Sequence, residues 1–190
     1  MQGDVREHIS ILGQINVEAI EVRKPSQLQE ISGLIIPGGE STVIDKLSHI
    51  FGLYEPIKNA IQSGLPVFGT CAGLILLSDR LVGATKTQKT FGGLNATVRR
   101  NAFGSQLDSF ETTLKFADLD AVSAAFIRAP VVIEVGSNVS VLSKLTDGKI
   151  VAIRSGNLLG TSFHPEIIGE TRVHEYFVEM CKTAIDPKSN

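Results

Sequence analysis

A turn of small residues between two apolar runs constrains the fold of this chain more than any other feature. The run 65–68 leads into Gly69-Thr70-Cys71-Ala72-Gly73, and the run 74–77 follows directly. A strand, a sharp turn and a helix in this order form a nucleophile elbow, which exposes its central side chain, here Cys71, above a sheet. The helix amino terminus favours negative charge at the sulfur, and the Ala72 N–H lies where an oxyanion would form. Free buried cysteines are also common in ordinary β-α units, so this segment alone leaves a nucleophile and a structural cysteine equally open.

Length and charge narrow the possible functions. The chain has 190 residues, a formal net charge of -2, 43% hydrophobic residues and 20% charged residues, which predicts one domain, 1–190, with a full core. The small net charge gives no reason to expect nucleic acid as a partner. No apolar run approaches the ~20 residues that span a bilayer. Cys71 and Cys181 make no disulfide framework and the polar start is unlike a signal peptide, so we predict a cytoplasmic protein.

The first half of the chain alternates between strand and helix patterns. Short apolar or alternating runs predict strands at 17–22, 33–36 and 65–68. Helical periodicity predicts helices at 5–12, 41–50, 54–61 and 72–79. This alternation argues for an α/β fold with an open, mostly parallel, doubly wound sheet.

Residues after Gly83 follow a different pattern. A polar loop at 84–93 precedes strand-like runs at 94–98, 110–116, 126–127, 131–135, 139–142 and 150–153. Asp147-Gly148 is typical of a hairpin turn between the last two runs. We therefore expect an antiparallel strand extension of the sheet, then a C-terminal helix over 173–184 and frayed residues at 186–190.

His164 is the residue best placed to act on Cys71. It ends the strand-like run 158–163, and the carboxyl ends of parallel strands share the edge where such sheets bind ligands. Glu166, two residues on, can accept a hydrogen bond from the imidazole and fix its tautomer. The alternative is a surface histidine in a proline turn, but the cysteine elbow upstream favours a Cys-His-Glu triad of Cys71, His164 and Glu166.

A glycine-rich loop forms a second junction between a strand and a helix. The glycines of Pro37-Gly38-Gly39-Glu40-Ser41 tolerate unusual backbone angles, so the loop can offer a second oxyanion donor beside the Ala72 N–H. Ser41 is suited to cap the following helix. By itself the loop is equally an ordinary tight turn, and it lacks the spacing and the lysine of a phosphate-binding loop.

Arginines end two of the strand-like runs. Arg99 and Arg100 open the segment 99–106, and Arg128 lies within 126–130. An arginine can bind a carboxylate through two parallel hydrogen bonds. A solvated arginine is the alternative interpretation for each of them.

The other histidines and the second cysteine form no evident constellation. The helical pattern places His174 on the polar side of the last helix and Cys181 on its apolar face. His8 and His49 stand apart from any motif. Because no cysteine and histidine grouping has the spacing of metal ligands, we predict neither a metal nor a cofactor.

Together these segments resemble the triad, or class I, glutamine amidotransferases. The Gly-Gly loop, the Gly-x-Cys-x-Gly elbow and the His-Pro-Glu sequence carry this wider resemblance. More narrowly, the chain resembles the glutaminase subunits of pyridoxal 5′-phosphate synthases, through five segments in the family's order that span nearly the whole chain: 37–41, 69–73, 100–104, 126–130 and 162–166.

The resemblance implies a role for each candidate residue. Cys71 would attack the side-chain amide of L-glutamine, His164 would protonate the departing ammonia and then activate water, and Glu166 would orient His164. The N–H groups of Gly39 and Ala72 would stabilise the oxyanion. Glutamine itself would be held by Gly38, Gly39, Glu40, Arg100, Ile127 and Arg128. Ammonia would pass to a separate, barrel-type synthase subunit in a hetero-oligomer, and docking of that subunit would rearrange the oxyanion loop of a poorly active free chain.

The chain departs from the family pattern at its start. The family opens with an apolar strand that ends in Leu-Gln-Gly, whereas this sequence begins Met1-Gln2-Gly3. We therefore expect the sheet to lack that strand and its neighbours to expose backbone groups. The alternatives are a glutaminase of another synthase, a regulatory subunit without catalytic activity, and a hydrolase or deglycase with a cysteine elbow.

Overall fold

The computed structural model describes residues 3–84, 87–100, 102 and 109–185. The helices are α1 (Val5–Gln14), α2 (Ser41–Ile50), α3 (Tyr54–Gln62), α4 (Ala72–Leu77) and α5 (Arg172–Ile185). The strands are β1 (Leu34–Ile36), β2 (Val67–Thr70), β3 (Ser78–Val82), β4 (Leu94–Arg99), β5 (Ser109–Phe116), β6 (Leu119–Ile127), β7 (Val131–Val135), β8 (Ser140–Lys144), β9 (Ile150–Ser155) and β10 (Leu158–Thr161). Two short 3₁₀ helices span Pro25–Gln29 and Glu166–Ile168.

The strands form a sheet with a parallel part and an antiparallel extension. Within the described residues the order is β1-β2-β10-β9-β7-β4-β3, and β8 also pairs with β9. β1, β2 and β10 are mutually parallel, while β9 runs antiparallel to β10. β5 and β6 form a separate antiparallel pair. The predicted α/β class with an antiparallel extension is therefore confirmed.

Side chains alternate between two cores on opposite faces of the parallel strands. Val67 packs into one core with α2, α3 and α4, whereas the next residue, Phe68, packs into another with α5 and β6. Leu158 and Leu159 divide between the same two cores. This follows from the two-residue period of a strand that is buried on both faces, and it places helices on both sides of the sheet.

The predicted strand at 17–22 is wrong. These residues have no regular secondary structure, and together with β1, α1 and α5 they line a cavity of about 580 Å³. The alternating sequence has the right pattern for a strand, but a strand persists only where a neighbour satisfies its backbone groups. β1 ends the sheet on this side and pairs with β2 alone among the described residues.

The predicted helix at 72–79 ends earlier than expected. α4 stops at Leu77 because Ser78 has extended backbone angles and starts β3, which pairs in parallel with β4. Long-range pairing here overrides the local helical pattern. The frayed tail predicted at 186–190 lies outside the described residues. None of the described helices combines the length and the apolar character that a membrane span requires.

Candidate active site

Cys71 lies on a strained turn between β2 and α4. Its φ of 48° and ψ of -97° lie outside the regions that residues with a side chain normally adopt. The Cys71 N–H donates to the carbonyl of Thr161 on β10 at 2.8 Å, which fixes the turn against the neighbouring strand. Ala72 then begins α4, so its N–H is one of the first-turn donors that have no partner within the helix. This is the predicted elbow geometry.

Close packing explains the glycines on both sides of the cysteine. A Cβ atom at Gly73 would lie 2.1 Å from the carbonyl oxygen of Ile36 on β1. A Cβ atom at Gly69 would lie 2.4 Å from the carbonyl carbon of Gly73. The small residues therefore let α4 start directly against β1 and β2.

His164 reaches Cys71 from the end of β10. Its backbone N–H donates to the carbonyl of Ala125 on β6 at 2.8 Å, and its ring Nδ1 lies 2.8 Å from Glu166 Oε1. Interaction with the Cys71 side chain is among the causes that raise the pKa of His164, which places the two side chains next to each other. Cys71, His164 and Glu166 are 8%, 3% and 4% exposed. The three candidate triad residues thus meet in one buried cluster.

The cluster favours an imidazolium beside the sulfur. Burial alone would lower the pKa of His164, but its interactions with Asp4, Cys71 and Glu166 raise it to about 12. Burial raises the pKa of Glu166, and the contact with His164 opposes that shift. A charged His164 can donate a proton to a leaving group.

Asp4 is a neighbour of the triad that sequence reasoning missed. Its Oδ2 lies 3.4 Å from His164 Nδ1, and the hydrogen bond with His164 lowers the pKa of Asp4. The Asp4 N–H also donates to the carbonyl of Gly38 at 3.3 Å. A single acid outside any motif gives no signal in a sequence, and the contact depends on how the start of α1 packs against the site.

The Gly38-Gly39 loop packs directly on the candidate catalytic histidine. A Cβ atom at Gly38 would lie 2.2 Å from His164 Cε1. Gly39 has a φ of 139°, which strongly disfavours any residue with a side chain. The loop in which the sequence predicts an oxyanion donor is therefore adjacent to the triad.

Glu40, not Ser41, caps α2. The Glu40 carboxylate accepts a hydrogen bond from the Thr42 N–H at 3.3 Å, and Ser41 is the first residue of the helix. The Ser41 hydroxyl instead accepts a hydrogen bond from Gln88 at 2.9 Å. The prediction of a Ser41 cap is thus wrong because the glutamate occupies the capping position and its carboxylate reaches the free N–H.

Arg100 is held by two side chains beside this loop. Its guanidinium donates to Glu40 Oε1 and to Gln88 Oε1, both at 2.8 Å. Gln88 thereby connects Arg100 to Ser41 on α2. Sequence reasoning missed Gln88 because one amide in a polar loop does not reveal its partners.

Ile127 and Arg128 lie exposed at the end of β6. Ile127 is 41% exposed, and Arg128 has a φ of 45°. In the described part of the chain the Arg128 side chain has no hydrogen bond or ion pair with another residue. The Ala102 N–H donates to the carbonyl of Ala129 at 3.1 Å, which links this turn to the segment after Arg100. The other residues of the 101–104 motif lie outside the described residues.

The prediction that His174 lies on a polar helix face is wrong. His174 is fully buried, and its Nε2 lies 2.8 Å from Nδ1 of His8. Burial lowers the pKa of His8 to about 3. Burial also lowers the pKa of His174 to about 4, although the contact with the Glu170 backbone acts to raise it. Cys181 packs against the core of α5 as predicted, and burial raises the pKa of its thiol to about 11.

One group of acids and histidines among the described residues has the spacing of a cation site. It consists of Asp4, His164 and Glu166, so two of its three members are already the candidate base and its orienting acid. The sequence prediction of no metal stays a prediction.

The chain is similar to known proteins over almost its full length. The profile of the SNO glutamine amidotransferase family matches residues 1–183. A pyridoxal 5′-phosphate synthase subunit PdxT from Leifsonia xyli subsp. xyli is 53% identical over 94% of this chain and 91% of that protein. A protein of the same name from Dehalococcoides mccartyi (strain BAV1) is 55% identical over 96% of this chain and 95% of that protein.

Two solved structures share the fold. A crystal structure of a glutamine amidotransferase has a TM-score of 0.90 at 43% identity, and the match covers 95% of each chain. The crystal structure of a putative GMP synthase component from Thermoplasma acidophilum has a TM-score of 0.67 at 14% identity, over 100% of this chain and 94% of that one. The second match supports the fold alone.

Proposed function

We propose, since the chain belongs to the SNO glutamine amidotransferase family, that it hydrolyses L-glutamine to L-glutamate and ammonia for pyridoxal 5′-phosphate synthesis. The observation that carries this proposal is the buried cluster of Cys71, on its strained turn, with His164 and Glu166, in which His164 Nδ1 lies 2.8 Å from Glu166 Oε1. In this assignment the chain is the glutaminase subunit of a pyridoxal 5′-phosphate synthase, the kind of protein named in its relatives.

The reaction starts at Cys71. Its sulfur attacks the side-chain amide carbon of glutamine, and the carbonyl oxygen becomes an oxyanion. The N–H groups of Gly39 and Ala72 stabilise that oxyanion. The Ala72 N–H is available because it opens α4, and the peptide of Gly38-Gly39 is positioned by the hydrogen bond from Asp4.

His164 moves the protons. Its imidazolium donates a proton to the departing ammonia, which leaves a thioester on Cys71. The resulting neutral imidazole then takes a proton from water as that water attacks the thioester carbon, and glutamate is released. Glu166 accepts the Nδ1–H of His164 and keeps Nε2 directed at the reacting groups.

Six residues form the glutamine site in this proposal. Arg100 binds the α-carboxylate through its planar guanidinium, and Glu40 binds the ammonium group. The backbone of Gly38, Gly39 and Ile127, with the side chain of Arg128, completes the site. The existing ion pair between Arg100 and Glu40 at 2.8 Å supports this assignment, because it places a positive and a negative group together as a zwitterionic amino acid requires.

The product ammonia passes to a synthase partner. The partner is a barrel-type pyridoxal 5′-phosphate synthase subunit in a hetero-oligomer, and its docking rearranges the Gly38-Gly39 loop. The chain uses no cofactor of its own, and a cytoplasmic location remains the prediction made from its cysteine content.

Ammonia release is the experiment that tests this function. The purified chain is incubated with L-glutamine, with and without a cognate synthase subunit, while ammonia and glutamate are measured and should form in equal amounts. Activity that rises sharply with the partner supports a glutaminase gated by docking. A folded chain that binds the partner but releases no ammonia above the uncatalysed rate would instead be a silent subunit.

A further inference from the structure

A second cluster of buried polar side chains lies behind the triad. Nε2 of His8 is 3.2 Å from the hydroxyl of Thr70 and 3.5 Å from Oε1 of Glu166. Nδ1 of the same ring is 2.8 Å from Nε2 of His174. His8 and His174 are 4% and 0% exposed. Polar contacts therefore run without interruption from the triad through His8 on α1 to His174 on α5.

The Glu166 carboxylate lies between His164 and this cluster. Its Oε2 is buried and has no hydrogen-bond partner among the described residues, while its Oε1 contacts both His164 and His8. Burial raises the pKa of Glu166, and the negative charge of Asp4 adds to that shift. A neutral Glu166 would hold an imidazolium less strongly than a carboxylate does. Apart from His164, His8 Nε2 is the one ring nitrogen within ion-pair distance of this carboxylate in the described part of the chain.

Hydrogen-bond accounting selects a tautomer for the two neutral histidines. If His8 carries its hydrogen on Nε2, this N–H faces Thr70 and Glu166, and Nδ1 accepts from His174 Nε2–H. Nδ1 of His174 then carries no hydrogen, in keeping with its lack of a hydrogen-bond partner in the described part of the chain.

The opposite tautomer is less favourable. It would turn a lone pair of His8 toward the carboxylate oxygen of Glu166 and place a buried N–H on Nδ1 of His174. Contact with the Glu170 backbone raises the pKa of His174 against the effect of burial, but among the described residues Nδ1 has no partner that meets hydrogen-bond geometry. A buried donor without a hydrogen bond and two facing lone pairs both cost free energy.

We propose that His8 is a positioning residue of the triad, whose Nε2–H, set by His174, holds Glu166 in its orientation toward His164. The proposal rests on the proposed function, because it concerns the same nucleophile and base. His8 does not touch the substrate in this mechanism. It acts through Glu166, as partners of metal-binding histidines act through the ring that they orient.

Side chains from several neighbouring elements contact His8 or affect its pKa. Thr70 comes from β2, Glu166 from the 3₁₀ helix after β10, and His174 from α5. The charges of His164 and Asp4 also act on its pKa, in opposite directions. Phe68 from β2 places its ring edge-on against the imidazole, with centroids 6.2 Å apart.

Two substitutions at position 8 separate a donor role from a packing role. His8→Leu keeps an apolar volume and removes the donor, whereas His8→Gln keeps an N–H near the position of Nε2. We expect His8→Leu to lower kcat of the complex with the synthase subunit by about tenfold to a hundredfold, with KM changed less than about twofold. His8→Gln should retain most of kcat. A Gln variant as impaired as the Leu variant, or a Leu variant with unchanged kcat, would overturn the proposal.

A second readout does not depend on glutamine or on a partner. Iodoacetamide alkylation of Cys71, followed against pH in a Cys181→Ser background, reports the charge that His164 stabilises on the sulfur. His8→Leu should move the acid limb of this profile to higher pH, and His8→Gln should not. An unshifted limb contradicts the positioning role. A shifted limb in a chain that never releases ammonia would retain the positioning role and reject the proposed function.

The tautomer can be measured without any substitution. Nitrogen NMR of the wild-type chain at pH 7 should place the hydrogens of His8 and His174 on Nε2, and an Nδ1–H at His8 would overturn the assignment.

His49→Leu and His49→Gln are matched controls for the variants, since this histidine pairs with Asp45 and stacks on Tyr54. Both controls should keep the wild-type kcat and alkylation profile.

Discussion

The catalytic side and the glutamine side of the candidate site differ in how firmly the fold fixes them. Cys71, His164 and Glu166 are buried and bonded to one another or to core strands. Ile127 and Arg128 are exposed at the end of β6, and the Glu40 side chain is 53% exposed at the start of α2. The groups proposed for bond making are thus fixed by the core, whereas several groups proposed for glutamine binding are exposed.

This difference follows from where each group lies in the chain. Cys71 and His164 follow the ends of β2 and β10, which are parallel and fully buried, and Glu166 starts the 3₁₀ helix after β10. Their positions are therefore fixed by the core. Arg128 stands on a turn with a positive φ, and loops at the ends of strands commonly carry specificity because they are free to vary. Substitutions on the two sides should consequently affect kcat and KM differently.

The largest expected effect is the loss of the nucleophile. Cys71→Ala should lower glutaminase activity by at least about 10⁴-fold, because no other group can form the thioester. Ammonia release in the presence of the synthase subunit is the measurement, and partner binding should be unchanged. Cys181→Ala is the control and should remain active. Ammonia above the uncatalysed rate in Cys71→Ala would reject the nucleophile assignment.

Acid should destabilise the buried side through its neutral histidines. The pKa values of His8 and His174 fall from 6.5 to about 3 and about 4, so below pH 6.5 the unfolded chain binds protons that the folded chain does not. Stability is then lost as pH falls from about 6.5 toward 4 for His174 and toward 3 for His8, by about 2 kcal/mol for each histidine at pH 5. His164 has a raised pKa, so its stabilising contribution is complete below pH 6.5 and does not produce this loss.

Urea unfolding at pH 7 and pH 5 measures the acid effect. His174→Phe should reduce the difference in unfolding free energy between the two pH values by about 2 kcal/mol, whatever its effect at pH 7. His49→Phe is the control, because His49 is partly exposed. If the difference in unfolding free energy between pH 7 and pH 5 is unchanged in His174→Phe, then His174 is protonated in the folded chain at pH 5.

Arg100 tests the binding side. Arg100→Ala should raise KM for glutamine by about tenfold to a hundredfold, because it removes hydrogen bonds to a charged group that contribute about 1.5–3 kcal/mol. It should lower kcat much less. Steady-state kinetics of the complex provide the measurement. Arg80→Ala is a matched control, since this arginine bonds Thr97 and Asn95 on β4. A fall in kcat at unchanged KM would place Arg100 on the catalytic side.

Arg128 should show a smaller effect of the same kind. Arg128→Ala should raise KM by about tenfold, while the unfolding free energy changes by less than about 0.5 kcal/mol because the side chain is exposed. Kinetics and urea unfolding are measured on the same preparation, with Arg23→Ala as an exposed control. Unchanged KM would mean that Arg128 faces solvent or the synthase partner.

Local chemistry explains which parts of this site the sequence could predict. The elbow at Cys71 follows from a turn between two apolar runs, and Glu166 stands only two residues from His164. The sheet class follows from alternating strand and helix patterns. All of these signals lie within short windows of sequence.

Long-range packing explains the misses. Residues 17–22 alternate as a strand does, but their backbone finds no neighbouring strand in the described part of the chain. The sequence does not reveal β3 because its pairing with β4 decides its conformation. The contact between His8 and His174 joins residues 166 positions apart, and neither residue has a local motif. The same reasoning applies to Gln88, whose importance depends on two distant partners.

Gln88 therefore gives the finest test of the comparison between the two sides. Its amide accepts from Arg100 at 2.8 Å and donates to Ser41 at 2.9 Å, so it holds the Arg100 guanidinium without being assigned to the substrate. Gln88→Ala should raise KM by about threefold to tenfold, because it removes one hydrogen bond that contributes about 0.5–1.5 kcal/mol. It should leave kcat unchanged. Gln88→Glu sharpens the test, because a carboxylate there would compete with the carboxylate of glutamine for Arg100 and raise KM further. If Gln88→Ala instead lowers kcat with KM unchanged, the binding side is coupled to the triad, and the division between a preset catalytic side and an adaptable binding side fails.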